Sequence, residues 1–477
     1  MNPINALGFS SAEKSFRFLV NVAFIAVLAR LLEPKELGVF AILWSGYQIL
    51  QSFFGSSLVN AYLRSTKTEH IRTKFFLISI LIGLAGAALF IVLWPVFELI
   101  FNTEFGPANY LFISCVLFLT PINAFYRGIL QGQSKFDKIA AIEAFTFIMS
   151  ITIALTFLLK EFGIFSLSIR YFSESILLLL MFYKLMPLKV DLSSIEFSDE
   201  DWRLFKYSFG LSWSRLTNAI TSNSTNLFVG YYFPLQYVAY FSYSQTLAKI
   251  PDSLFRTMIT SPALTYLGKY KGKHLFQKCQ LLASAVLLLA MIPAILIYTN
   301  GSELLVILMG DKWIEFSLLF EFMGIFAVAQ VIKGWLTILY TNLMKMVLWN
   351  KIVFIELLLI FLFMIYCFYS TSGIDFFVKT FSLLIFSFWS LVYLYSNIRL
   401  SDNSGLKSLI ADLKLLICPV LIFYILSEMD QIFINPFFEI ALNLTIIVLI
   451  TFIFLFIFDR ASLKWIRDVL GNRKNTP

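Results

Sequence analysis

Apolar residues along this chain come in long unbroken blocks separated by short polar ones, a pattern unlike the amphipathic alternation of a soluble domain. A helix that crosses a bilayer needs about 20 predominantly apolar residues. By that measure fourteen blocks stand out, at 16–32, 38–62, 75–101, 109–130, 139–159, 163–186, 206–233, 238–265, 276–299, 317–343, 351–370, 377–398, 409–426 and 436–458. The pattern predicts an all-α polytopic membrane protein of about 14 transmembrane helices.

Composition agrees: 59% of residues are apolar and only 14% charged, against about 25% charged in a soluble domain. Of the 37 Lys and Arg residues, 27 fall in one set of alternating connections and the termini, and five (Arg30, Lys35, Lys160, Lys312 and Lys379) in the opposite set. Basic residues gather on the cytoplasmic side, so both termini are expected in the cytoplasm. The net charge of +8 is thus topological, and no nucleic-acid partner is expected. The start of the chain lacks a cleavable leader pattern, so the first helix is expected to be retained.

The longest polar connection, Pro187–Arg203, divides the chain into an N-terminal six-helix lobe (1–195), a C-terminal six-helix lobe (196–400), and two additional helices with a basic cytoplasmic tail (401–477). A repeat supports two similar halves. LARLLEPKELGVFA at Leu28–Ala41 has a degraded counterpart in VGYYFPLQYVAYF at Val229–Phe241, one residue longer between the proline and the small residue, with Gly38-Val39-Phe40 matching Ala239-Tyr240-Phe241. Both read as a helix, a proline turn, and a second helix opened by a small residue and an aromatic.

The five remaining bases, Arg170, Arg215, Lys249, Arg256 and Lys333, fall within or at the edge of predicted helices. Such a charge costs roughly 2.5–3.5 kcal/mol at mid-bilayer, so each must face protein, water or a ligand. These are the candidate substrate-binding residues, and each has a structural alternative. Arg170 stands four residues before Glu174, the spacing of a helical ion pair. Lys249, Asp252 and Arg256 share a helix face and leave a surplus positive charge if the aspartate pairs with either neighbour. Arg215 can snorkel to the inner interface, and Lys333 shares its segment with Glu321. Arg17 and Arg30, at opposite ends of the first helix, read as interfacial anchors.

Prolines at 121, 251, 262, 293 and 419 fall within spans, and Pro251 puts a helix break beside Lys249 and Asp252. The tyrosines between Tyr231 and Tyr243 read as an interfacial belt, with sugar stacking as the alternative. The four cysteines and two histidines have no metal-like spacing, and no P-loop or GxGxxG turn is present, so neither metal nor cofactor is expected. External connections are short, which argues against a membrane polysaccharide polymerase or other enzyme.

The first-helix ending LARLLEPKELGVFAI resembles the "LAR-LGPEE-G-Y" run of bacterial polysaccharide (O-antigen and exopolysaccharide) flippases of the multidrug/oligosaccharidyl-lipid/polysaccharide (MOP) superfamily. SNSTNLFVGYYFPLQYVAYFSYSQTLAKIPDSLFRTMITSPALTYL at 222–267 and YRGILQGQSKF at 126–136 are similar to later family patterns. The chain departs at Asn226, where many members carry an acid, and at Glu33-Pro34, where Gly-Pro is usual.

The resemblance implies two six-helix lobes around a central cavity that opens alternately to either side of the bacterial cytoplasmic (inner) membrane. The implied cargo is a lipid-linked oligosaccharide on an undecaprenyl diphosphate carrier, used for surface polysaccharide biosynthesis. Its diphosphate and sugar would be held by the intramembrane bases and its tail would lie among membrane lipid. A polysaccharide polymerase and a chain-length regulator are the implied partners. A cation-coupled drug exporter and a lipid II flippase share the architecture; the exporter would be expected to carry more intramembrane carboxylates than bases.

Overall fold

The computed structural model describes residues 3–55, 69–187, 199–253, 292–343 and 345–400, with isolated positions at 59, 62, 440, 444, 445 and 447. Arg256, Pro262 and Pro419 lie outside them, as do most of the ninth predicted segment and nearly all of the thirteenth and fourteenth.

The chain is helical throughout the described residues. The helices are α1 (Pro3–Leu31), α2 (Pro34–Phe54), α3 (Glu69–Phe101), α4 (Pro107–Gly132), α5 (Phe136–Leu159), α6 (Phe165–Leu185), α7 (Asp199–Tyr232) and α8 (Leu235–Ala248). Beyond them come α9 (Ile292–Thr299), α10 (Gly301–Met309), a 3-10 turn (Asp311–Phe316), α11 (Ser317–Asn342), α12 (Met346–Ser370) and α13 (Ile374–Leu400). Eight of these helices are long and apolar enough to cross a membrane, or nine if the bent pair α9–α10 counts as one span. The chain is a multi-pass membrane protein. α3 shows its lipid-facing character directly, with Val92 69% and Leu99 82% exposed.

Helix starts tend to run ahead of the apolar blocks because polar and proline residues form the first turn. In α2 Pro34 occupies an early position, where its missing N–H would have no partner anyway. The Glu33 backbone N–H donates to Glu36 Oε2 at 3.1 Å, so the Glu33-Pro34 departure is a capped helix start.

Two compact units make up the chain, Met1–Ser242 with Leu357–Met364, and Tyr243–Glu356 with Ile365–Pro477. In the first unit α4 packs against both α3 and α6, α5 against α1 and α6, and α2 along α7. An aromatic core of Tyr62, Phe75 and Phe125 packs with Ile129.

The two copies of the repeat meet in this unit. A Cβ added to Gly38 of α2 would lie 1.8 Å from the Leu235 carbonyl oxygen and 3.5 Å from the Ala239 backbone nitrogen of α8. The small residues matched between the repeats are therefore neighbours, and glycine is required because backbone meets backbone. Further along, a Cβ on Gly230 would lie 2.7 Å from Ile42 Cδ1, and Asn226 Nδ2 donates to Ser45 Oγ at 3.2 Å.

In the second unit α11 packs against α13, with Phe326 stacked on Phe381 at 5.7 Å and Trp349 against Trp389 at 5.5 Å. Tyr340 and Ser396 share a hydrogen bond of 2.8 Å between their hydroxyls. The connection between the ninth and tenth predicted segments is helical: α9 turns by 89° into α10. The following 3-10 turn buries Trp313, 1% exposed.

Replacing Gly38 by valine should cost on the order of 3 kcal/mol, the upper part of the usual range for overpacking, because the contact is with backbone that cannot rotate away. Heating detergent-solubilised protein and following its monodisperse fraction measures this; a variant as heat-resistant as the parent would show that the α2–α8 approach can relax.

Candidate functional site

Charge placement separates the candidate residues. Among the described residues four charged side chains are buried: Glu143, Glu174, Glu356 and Arg170. Each carboxylate meets a base from another helix. Arg127 Nε lies 2.9 Å from Glu143 Oε1, Arg17 Nη2 lies 2.6 Å from Glu174 Oε1, and Lys333 Nζ lies 2.7 Å from Glu356 Oε2. Arg170 has no carboxylate in ion-pair range among the described residues, although it is only 4% exposed.

Other groups hold Arg170. Its Nη2 donates to Asn21 Oδ1 at 3.2 Å and its Nη1 to the Tyr171 hydroxyl at 3.4 Å. Its guanidinium rests 4.6 Å from the Phe24 ring centroid, 4.8 Å from that of Tyr171 and 5.3 Å from that of Phe147. Aromatic faces attract a cation through their quadrupole, so the charge is solvated by rings rather than neutralised. The Nε–H, buried, meets no acceptor.

The rings are themselves fixed. Phe40, Trp44 and Tyr47 recur along one face of α2, and Tyr171 of α6 stacks on Trp44 at 3.8 Å and on Phe40 at 6.1 Å. Tyr47 shares a hydrogen bond of 3.3 Å with Thr120 Oγ1. Arg170 is thus positioned by packing from α1, α2, α5 and α6.

The spacing-based pairing of Arg170 with Glu174 is not the one formed, since Glu174 is held by Arg17. That also takes Arg17 out of the simple anchor role expected for it: its guanidinium sits 4.6 Å from the Phe147 ring and bridges α1 to α6.

The second unit has a similar division. Lys249 interrupts the helical pattern two residues before Pro251. Its Nζ is 3.3 Å from Gln245 Oε1 and 5.9 Å from the Phe326 ring centroid. No carboxylate comes within ion-pair range of it among the described residues, although Asp252, Glu356 and Lys333 all act on it electrostatically.

Lys333 is compensated instead. Besides Glu356, its ammonium has the Trp389 ring at 5.1 Å, and the Trp389 indole N–H donates to Glu356 Oε1 at 2.8 Å. Both carboxylate oxygens are therefore engaged. Arg215 is half-buried on α7, and Arg256 falls outside the described residues.

The structure brings Lys249 and Lys333 into one electrostatic neighbourhood and places Arg170 in the other unit. Sequence reasoning missed Arg17, Glu174 and Glu356 as a set. The available signal was the acids themselves: Glu356 stands within the apolar run KIVFIELLLIF, and a buried acid in a membrane span requires a partner. Asn226, in the position of the family's acid, is buried and bonded to Ser45. Of the tyrosines expected to form a belt, Tyr231 is 57% exposed and Tyr240 only 4%.

The succinoglycan biosynthesis transport protein ExoT of Rhizobium meliloti is 22% identical to this chain over 315 residues, a match covering 64% of this chain and 62% of that protein's length. Among solved structures, the lipid II flippase MurJ in an inward closed conformation has a TM-score of 0.70 at 15% identity, covering 95% of this chain and 99% of its own. An inward-facing multidrug resistance MATE family transporter of the MOP superfamily has a TM-score of 0.65 at 12% identity, covering 81% of this chain and 95% of its own. These structural likenesses establish the MOP transporter fold. The family model described as "Polysaccharide biosynthesis protein" matches residues 27–318, and with more than half its length inside that match the chain belongs to this family.

Proposed function

We propose that the protein is a flippase that moves undecaprenyl-diphosphate-linked oligosaccharide repeat units across the bacterial cytoplasmic membrane. In this reading the lobes 1–195 and 196–400 alternate access and both termini are cytoplasmic. The observation that carries the proposal is the charge left over: each buried carboxylate among the described residues already has a cation, while Arg170 is buried with none.

Uncompensated positive charge in low dielectric suits a diphosphate, which is expensive to desolvate unless a base and hydrogen-bond donors meet it. Guanidinium provides both in a planar fork, and ammonium provides a compact charge. Arg170 and Lys249 are the leading cargo ligands in this proposal, with Arg215 and Arg256 contributing; the charge of Lys333 is compensated by Glu356. The pairing of every buried carboxylate among the described residues disfavours a cation-coupled drug exporter, which calls for one free to bind the cation.

The repeat-unit substrate and the partner polymerase and chain-length regulator are testable in the host. Deleting the gene should abolish the surface polymer and accumulate complete lipid-linked repeat units on the inner leaflet. Complementation with Arg170→Gln/Lys249→Gln should restore export about a hundredfold less than the parent at equal membrane levels, from two lost charge-assisted hydrogen bonds. Polymer at the parent's level in that strain would remove these residues from the site, and unchanged polysaccharide after deletion would end the flippase reading.

Glu356 should behave differently. Glu356→Leu leaves the part-buried Lys333 without its anion and should lower stability by about 3 kcal/mol, while Lys333→Met/Glu356→Leu recovers most of it. The melting temperatures of the purified variants decide this, and a double variant as unstable as the single one would show that the pair matters beyond its charge balance.

A further inference from the structure

The Arg17–Glu174 pair bridges α1 to α6, yet Glu174 also stands one helical turn beyond Arg170 on α6 itself. An acid four residues after an arginine can reach it, so Glu174 has two possible cations and occupies one. The other, Arg170, keeps a buried Nε–H with no acceptor. Both guanidiniums lie against one ring, at 4.6 and 5.3 Å from the Phe147 centroid. Two like charges sharing a ring repel each other, and Glu174 offsets that repulsion.

Access is unequal: the Arg17 side chain is 29% exposed, the Glu174 side chain 11%, and Arg170 as a whole 4%. An anion approaching this cluster therefore meets Arg17 before Arg170, and on arrival it faces Glu174 as a like charge.

Resting on the flippase reading, we infer that Glu174 is an exchangeable counter-ion. It holds Arg17 while no cargo is bound, yields Arg17 to the cargo's phosphate, and turns to the free Nε–H of Arg170, whose Nη groups stay available to the phosphate; this breaks one of the ties between α1 and α6. Glu174 is then a positioning residue that stands in for the anionic cargo and ties cargo arrival to a helix–helix contact. No bond is made or broken; one carboxylate changes partner.

The same division recurs in the second unit, where Lys333 is engaged by Glu356 and Lys249 rests on Gln245 and Phe326. There, however, the acid lies on a different helix from both bases, and its second oxygen is held by Trp389. The exchange is accordingly assigned to Glu174 alone.

The test uses the full-length purified protein with undecaprenyl diphosphate in detergent micelles as the probe and undecaprenol as the uncharged control. Glu174→Gln removes the competing anion and should bind undecaprenyl diphosphate about tenfold more tightly, equivalent to about 1.4 kcal/mol, with undecaprenol binding unchanged. In cells the same variant should export less, because the cargo no longer has a carboxylate to displace it. A purely structural ion pair would give lower thermal stability and no gain in affinity.

If Glu174→Gln does not fold, Arg17→Glu/Glu174→Arg supplies the second arm. Restored stability without restored export upholds the exchange, whereas export at the parent's level from the swapped pair overturns it. Binding by the parent with no tightening in Glu174→Gln overturns this inference alone. Failure of the parent to bind undecaprenyl diphosphate removes the flippase reading, and this inference with it.

Discussion

The approach of Gly38 to the Leu235 carbonyl is the contact on which the first unit's architecture depends. In lipid, burying apolar surface gives no advantage to helix association, because the acyl chains are as apolar as leucine; close packing and hydrogen bonds must supply the specificity. A glycine at the crossing lets two backbones touch. With α2 and α8 so placed, Ile42 meets Gly230 and Ser45 meets Asn226 along the neighbouring α7. The same run of α2 presents Phe40, Trp44 and Tyr47, and two of these rings stack on Tyr171 beside Arg170. One missing methyl group is connected in this way to the placement of a charge.

The helices were legible because the bilayer imposes both their length and their apolarity. The predicted block at 317–343 is the helix Ser317–Asn342, and 139–159 is Phe136–Leu159. The repeat could also be read, since its small residue must recur wherever the backbone crossing does. Less legible was anything shorter than a span. α10 has nine residues, too few to stand out as a crossing, and the 89° bend before it leaves no mark in hydropathy.

The site was legible only in part, and for a different reason. A base in a span is conspicuous by its cost, so Arg170, Lys249 and Lys333 stood out. Which acid answers which base is a tertiary fact. Arg17 and Glu174 are 157 residues apart, and the near neighbour at helical spacing, Arg170 with Glu174, is the pairing the fold does not make. Local spacing predicts an ion pair where nothing else competes. Here α1 brings a second arginine to the same carboxylate, and α1, α5 and α6 give Arg170 rings to rest on instead.

That preference for rings has an electrostatic consequence. A buried carboxylate held by a base and further hydrogen bonds, as Glu356 is by Lys333 and Trp389, makes a closed set: removing either charge is strongly destabilising, and no capacity remains for a third ion. A cation cushioned on aromatic faces gains about 2 kcal/mol or more once desolvated, with no opposite charge bound to it. Arg170 is therefore stable enough to be kept in the membrane, and its charge is not consumed by the protein that keeps it. In a membrane a cation whose counter-ion is missing is costly, and in this chain aromatic packing is what makes Arg170 tolerable.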